Sequence, residues 1–220
     1  YTSKLVTREE KNRLLGFIPM FISGVLFFGI FQQQFTVMTI YSDVRLDRHM
    51  FGWEIPPSLV QSINPIFIVI FSAVFATMWT KLGDRQWSTS VKFGAANIVI
   101  GISLFFFLPF SGAEANSTPM FVIVFILFLF TMAELLLSPV GNALATKVAP
   151  VAFPSRMMAV WMMAVAMGTS LAGSLASFYN PDDAGAENTF FISLGVVSIV
   201  LGAILLVLSR WVVKKFSTFR

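Results

Sequence analysis

Six separate apolar stretches, at residues 14–40, 56–80, 90–110, 118–146, 154–179 and 188–213, are each long enough to cross a bilayer. A hydrocarbon core of about 30 Å needs roughly 20 apolar residues per helix. None of the six shows the period-two alternation of barrel strands, so a helical bundle is the spanning solution that satisfies the backbone. The fold class expected is an all-α membrane protein, a bundle of six transmembrane helices. A lead-in of residues 1–13 precedes the bundle at 14–213, and a tail follows at 214–220. The first apolar run is too long for the core of a signal peptide, and Thr7 with Glu10 fits a capping box opening a helix ahead of it. The chain begins at Tyr1 rather than Met, which suggests a segment of something longer.

Charge agrees with lipid as the solvent. Charged residues make up 12 % of the chain and hydrophobic ones 56 %, against about a quarter charged in soluble domains. The net charge of +4 forms no stripe for nucleic acid, because the basic residues sit at the ends of the apolar runs. With both termini on one side, Lys4, Arg8, Lys11, Arg13, Lys81, Arg85, Lys92, Lys147, Arg156, Arg210, Lys214, Lys215 and Arg220 share it. Only Arg45 and Arg48 fall opposite, among Asp43, Asp47, Glu54, Glu114, Asp182, Asp183 and Glu187. The positive-inside rule then places both termini in the cytoplasm. Zero Cys excludes disulfides and thiolate chemistry. The lone His49, in the wet loop at 42–55, offers nothing for a metal or a triad.

Polar residues within the runs are the candidates for function. Glu134 is the one ionisable side chain expected inside the hydrocarbon, where a charge costs about 2.5–3.5 kcal/mol on insertion scales and marks a functional site by default. Ser138 and Gly141 follow it at helical spacing, and Pro139 frees the carbonyl of Leu135. Together they suggest a wet face. Gln61 and Asn64 share a face of the second helix, where Pro65 frees the carbonyl of Gln61. Gln32, Gln33 and Gln34 cover nearly a turn of the first, so at least one should face the interior. On the fifth, Ala166, Ser170 and Ser174 recur every fourth residue beside Gly173 and Ser177, a pattern for close helix packing. Trp161 reads equally as a pocket wall or a gate anchor.

These motifs resemble a known family. Gln61-Ser62-Ile63-Asn64-Pro65 with Trp79-Thr80-Lys81-Leu82-Gly83 is similar to the eighth helix and following loop of proton-dependent oligopeptide transporters, within the major facilitator superfamily. Glu134-Leu135-Leu136-Leu137-Ser138-Pro139-Val140-Gly141, running on to Thr146-Lys147-Val148-Ala149-Pro150, resembles the tenth helix. Arg156-Met157-Met158 with Trp161, Gly168 and Leu171-Ala172-Gly173 resembles the eleventh, and Gly83-Asp84-Arg85 echoes the superfamily's cytosolic loop. The resemblance implies helices seven to twelve, the C-terminal half of a major facilitator fold. It further implies import of di- and tripeptides by alternating access, with the proton as coupling ion and no other cofactor. The partners implied are the N-terminal six-helix half, small peptides and the lipid bilayer, in the plasma (inner) membrane.

By the same resemblance Glu134 meets the peptide ammonium, Asn64 hydrogen-bonds that end, Ser138 lines the floor and Trp161 walls a side-chain pocket. Gln32, Gln33, Gln61 and Glu134 are the coupling or gating candidates. Many relatives carry an acid where this chain has Gln32, which cannot titrate. Two alternatives stand beside this reading: a transporter half for another small solute, and a self-contained six-helix oligomeric channel. An enzyme is not expected, since the spans hold no second titratable partner beside Glu134.

Overall fold

The structure, a computed structural model, describes residues 6–50 and 52–216. Of the charges used to orient the chain, Lys4 and Arg220 lie outside the described residues. Six helical stretches among the described residues are long and apolar enough to cross a membrane.

The lead-in is helical and locked at its start. Thr7 Oγ1 accepts from the Glu10 amide at 3.3 Å while Glu10 Oε2 accepts from the Thr7 amide at 2.7 Å, the capping box expected from the spacing. Glu10 does more than cap: its Oε1 accepts the Val151 amide at 2.9 Å, tying the lead-in to the loop between the fourth and fifth spans. Helix α1 (Arg8–Phe31) and helix α2 (Val37–Val44) form one span interrupted by a 3-10 turn at Gln32–Phe35. The sequence suggests a single run there; at the break, the amides of Gln32 and Gln33 bond sideways to the fifth span. A 3-10 stretch inside a helix often marks a hinge.

The second span divides likewise into α3 (Pro57–Val60) and α4 (Ile63–Leu82), parting at Gln61–Ser62, where Pro65 removes the donor that Gln61 would have met. The remaining spans are α5 (Thr89–Phe105), α6 (Met120–Val148), α7 (Pro154–Ala176) and α8 (Ala184–Lys215). Between α2 and α3, strands β1 (His49–Met50) and β2 (Trp53–Glu54) pair antiparallel, His49 opposite Glu54. His49 is exposed beside Asp47.

The closest helix contact is one that motif reading does not single out. Gly94 and Gly101 on α5 face Gly202 and Gly195 on α8, and a Cβ on Gly94 or Gly101 would lie 2.9 or 2.8 Å from the opposing carbonyl oxygen. Only glycine lets the backbones meet this closely, the usual device of helix pairs in lipid. Ser198 Oγ donates to the Asn97 carbonyl at 2.8 Å and Ser90 Oγ to the Leu205 carbonyl at 2.9 Å, so the buried hydroxyls cross the same seam. The expected small-residue face of α7 is a correction: Ala166, Ser170, Ser174, Gly173 and Ser177 are all exposed. The packing face is Ala164, Gly168 and Ala172, where Gly168 lies against Phe28 and the Val25 carbonyl of α1.

Lys92 and Glu187 are charges buried in the first turns of their helices. Lys92, 7 % exposed, lies in α5 with its ammonium over the Trp79 ring at 3.8 Å and on Gln86 Oε1 at 2.9 Å. Glu187 is fully buried in the first turn of α8. Sequence reading leaves it in a loop, because the apolar run begins only after it.

Candidate substrate-binding face

The α6 stripe forms as expected, in part. Glu134 and Ser138 are half-buried, Pro139 and Asn142 are exposed, and α6 runs unbroken through Pro139. Glu134 Oε2 and Ser138 Oγ both lack hydrogen-bond partners among the described residues. Two unpaired oxygens one turn apart, an acceptor and a hydroxyl, suit a polar ligand. Gly141, expected on the same wet face, is buried instead against Trp161.

Helix α4 brings Asn64 to this point. Its side chain is buried, and its Nδ2 donates to Thr131 Oγ1 of α6 at 3.0 Å, one turn from Glu134. Pairing across α4 and α6 therefore unites Asn64, Glu134 and Ser138. Trp161 is placed apart from them. It is 1 % exposed, its Nε1 donates to Asn142 Oδ1 at 2.9 Å, and its ring packs against Phe28 and Phe93. It sits behind the stripe, inside the bundle, and presents no open wall.

The glutamines divide by role. Gln32 Nε2 donates to Thr169 Oγ1 of α7 at 3.0 Å, and Gln33 Nε2 donates to the Gly29 and Ala172 carbonyls at 3.1 Å each. These bonds tie the 3-10 turn to α7. Gln34 is fully buried, and neither of its amide atoms has a partner among the described residues. Gln61 Nε2 donates to Thr39 Oγ1 of α2, joining the first two spans beyond their breaks. None of the glutamines is recorded bonding to Glu134.

A second polar cluster lies at the end of the bundle opposite the termini. Glu187 accepts from Arg45 Nη2 at 3.5 Å, from Tyr179 Oη at 2.8 Å and from the Gly112 amide at 2.9 Å. Arg45 also donates to the Pro181 carbonyl at 2.6 Å. Burial, and then the Glu187 charge, push the Tyr179 phenol well above its ordinary pKa, so it is held as a hydrogen-bond donor. This cluster ties α2, the α5–α6 loop and the α7–α8 turn together. Arg45 and Glu187 are ordinary loop charges in the sequence, and nothing there pairs them. No group of three or more His, Asp or Glu side chains placed to hold a metal occurs among the described residues.

The profile of the POT family matches residues 1–206. The uncharacterized transporter YclF of Bacillus subtilis (strain 168) is 39 % identical over 211 residues, 95 % of this chain and 42 % of its own length. A di-/tripeptide transporter of Lactococcus lactis subsp. cremoris is 36 % identical over 228 aligned residues, 100 % of this chain and 45 % of its own length. Among solved structures, a mutant of peptide transporter POT in complex with alafosfalin superposes with a TM-score of 0.90 at 34 % identity, over 98 % of this chain and 44 % of that one. A POT family transporter in complex with 5-aminolevulinic acid gives a TM-score of 0.87 at 36 % identity, over 96 % and 44 %. The chain spans less than half the length of these relatives.

Proposed function

The chain belongs to the POT family, and from that premise we propose that it forms the C-terminal six-helix half of a proton-coupled importer of di- and tripeptides. It is a multi-pass membrane protein of a transporter family, with the fold of one half of a major facilitator protein. In this reading it lies in the plasma membrane with both termini cytoplasmic, catalyses no chemistry and uses no cofactor beyond the coupling proton. The N-terminal half supplies the facing wall, and alternating access comes from the two halves rocking about the site between them.

The observation that carries the reading is the unpaired Glu134 Oε2 beside Ser138 Oγ, on a half-buried face of α6 against Asn64. A peptide's ammonium offers three donors and fits that set of oxygens, while a carboxylate end does not. Glu134 then holds either the ammonium or the coupling proton, and exchange of one for the other links the two fluxes. Gln32, bonded to Thr169, tethers the hinge without titrating, and Gln33 and Gln61 hold the two broken spans in register. Trp161 acts from behind, by supporting the α6 stripe through Gly141. A second reading, transport of another small solute on the same face, is favoured by the related transporter solved with 5-aminolevulinic acid.

The test is uptake in liposomes under an imposed proton gradient by the full-length protein that carries this chain. Glu134→Gln keeps shape and loses charge. It should weaken binding of a free dipeptide by about 1–3 kcal/mol, the range for a hydrogen bond to a charged group, and should weaken an N-acetylated dipeptide less. Residues 1–220 alone should give no uptake. Equal effects on both dipeptides remove Glu134 as the amine site, and saturable uptake by 1–220 alone rejects the half-transporter.

A further inference from the structure

We infer that Thr131 is the positioning residue that makes this site selective for a cationic donor, by fixing which way the Asn64 amide points. The inference rests on Glu134 being the ammonium site.

Thr131 is fully buried on α6, one turn before Glu134. Its hydroxyl donates to the Leu127 carbonyl at 2.9 Å, the i−4 bond that a helical threonine commonly makes. A hydroxyl has one proton. With that proton given to Leu127, Thr131 Oγ1 can only accept, so the Asn64 atom 3.0 Å away must be the Nδ2 donor. The amide of an asparagine is assigned by such networks, since its two ends have the same shape. Nδ2 keeps a second hydrogen, and the Glu134 carboxyl one turn further along α6 is the nearby acceptor it can serve.

The consequence concerns the other end of the amide. No hydrogen bond to Asn64 Oδ1 occurs among the described residues, and this oxygen is not among the fully enclosed unpaired atoms. With Nδ2 committed to Thr131, the Asn64 oxygen is the end of the amide left to accept from a ligand. A ligand that brings donors completes this arrangement; one that brings acceptors meets like partners. Were Thr131 unable to accept, the amide could turn and the preference would fade. Thr131 touches no ligand in this scheme and acts through Asn64.

The experiment uses the full-length protein with Thr131→Val, which keeps the shape and removes the hydroxyl, and Thr131→Ser, which restores it. Thr131→Ala is the second variant should the valine protein fail to accumulate. Two readouts are taken. The first is the ratio of affinities for a free and an N-acetylated dipeptide. The second is the infrared carboxyl band of Glu134 in ligand-free protein, assigned by its loss in Glu134→Gln. Thr131→Val should lower the affinity ratio by about tenfold, the scale of one hydrogen bond, and shift the band, while Thr131→Ser leaves both near wild type. An unchanged ratio and band in Thr131→Val overturns the inference, as does an equal loss of affinity for both dipeptides with the band unmoved. If the wild-type protein itself does not distinguish the two dipeptides, the amine-site reading falls. A band shift in Thr131→Val that serine restores then still identifies Thr131 as the residue that orients Asn64.

Discussion

The indole of Trp161 closes on Gly141 so tightly that a Cβ at Gly141 would lie 2.1 Å from its Cζ2 atom. The ring cannot yield, because Phe28, Phe93 and the bond to Asn142 hold it on other sides. Gly141→Ala should therefore destabilise the full-length protein by about 1–3 kcal/mol, the usual cost of overpacking. Adding Trp161→Leu should cost less in that background than alone, since the two residues are in contact. Thermal unfolding in detergent of the two single variants and the double variant checks this; simple additivity would sink it.

What the sequence shows of the fold depends on the kind of signal. Span number and the Thr7–Glu10 cap follow from periodicity and spacing, which are local. Glu134, Ser138 and Asn64 were legible because polarity stands out against an apolar helix, and the structure does bring them together. Thr131 escaped notice because one hydroxyl in a helix is unremarkable until its partner on α4 is known. The α5–α8 glycine seam and the Arg45–Glu187 pair were hidden for the same reason. Each depends on which residues from distant parts of the chain meet, and a small stripe such as Ala166, Ser170 and Ser174 looks alike whether it is packed or open.

Orientation can be tested because the chain has no native Cys. A single Cys at Glu114 or Asp182 in intact cells should react with a membrane-impermeant thiol reagent, and one at Lys81 or Lys147 should not. Asp183 is a poorer site, since its carboxylate caps α8 by accepting the Gly185 and Ala186 amides. Labelling confined to Lys81 and Lys147 reverses the assignment.

Arg45 and Glu187 form a buried pair with side-chain exposures of 10 % and 0 %. Removing one partner of such a pair costs about 3–5 kcal/mol, because the other charge is left without compensation. Arg45→Met should fall in that range. The combined Arg45→Met, Glu187→Gln protein should recover part of the loss, as the remaining neutral amide can still accept from Tyr179. Unfolding midpoints for Arg45→Met, Glu187→Gln and the double variant are the measurement, and a double variant worse than the sum of the singles contradicts the pairing.

Tyr179 adds a pH dependence with a definite sign. It lies in the turn beyond α7, and its phenol donates to Glu187 Oε1 at 2.8 Å. Burial is the larger cause of its raised pKa, and the Glu187 charge is the next. Above the ordinary tyrosine value of 10.0, the unfolded chain releases this proton while the folded protein keeps it. The folded state then binds more protons, so stability falls as pH rises. The contribution is fully present below about pH 10 and declines above it, by at most about 1.4 kcal/mol per pH unit. Tyr179→Phe loses the hydrogen bond, and should be less stable than wild type at pH 8. It also has no phenol to ionise, so its stability should fall less steeply between pH 9 and 11. Tyr41, close by and bonded to Thr118 at 2.8 Å, remains in both proteins and cancels from the comparison. Unfolding in detergent across that range decides the point: parallel alkaline slopes for wild type and Tyr179→Phe mean that the Tyr179–Glu187 bond does not hold the proton.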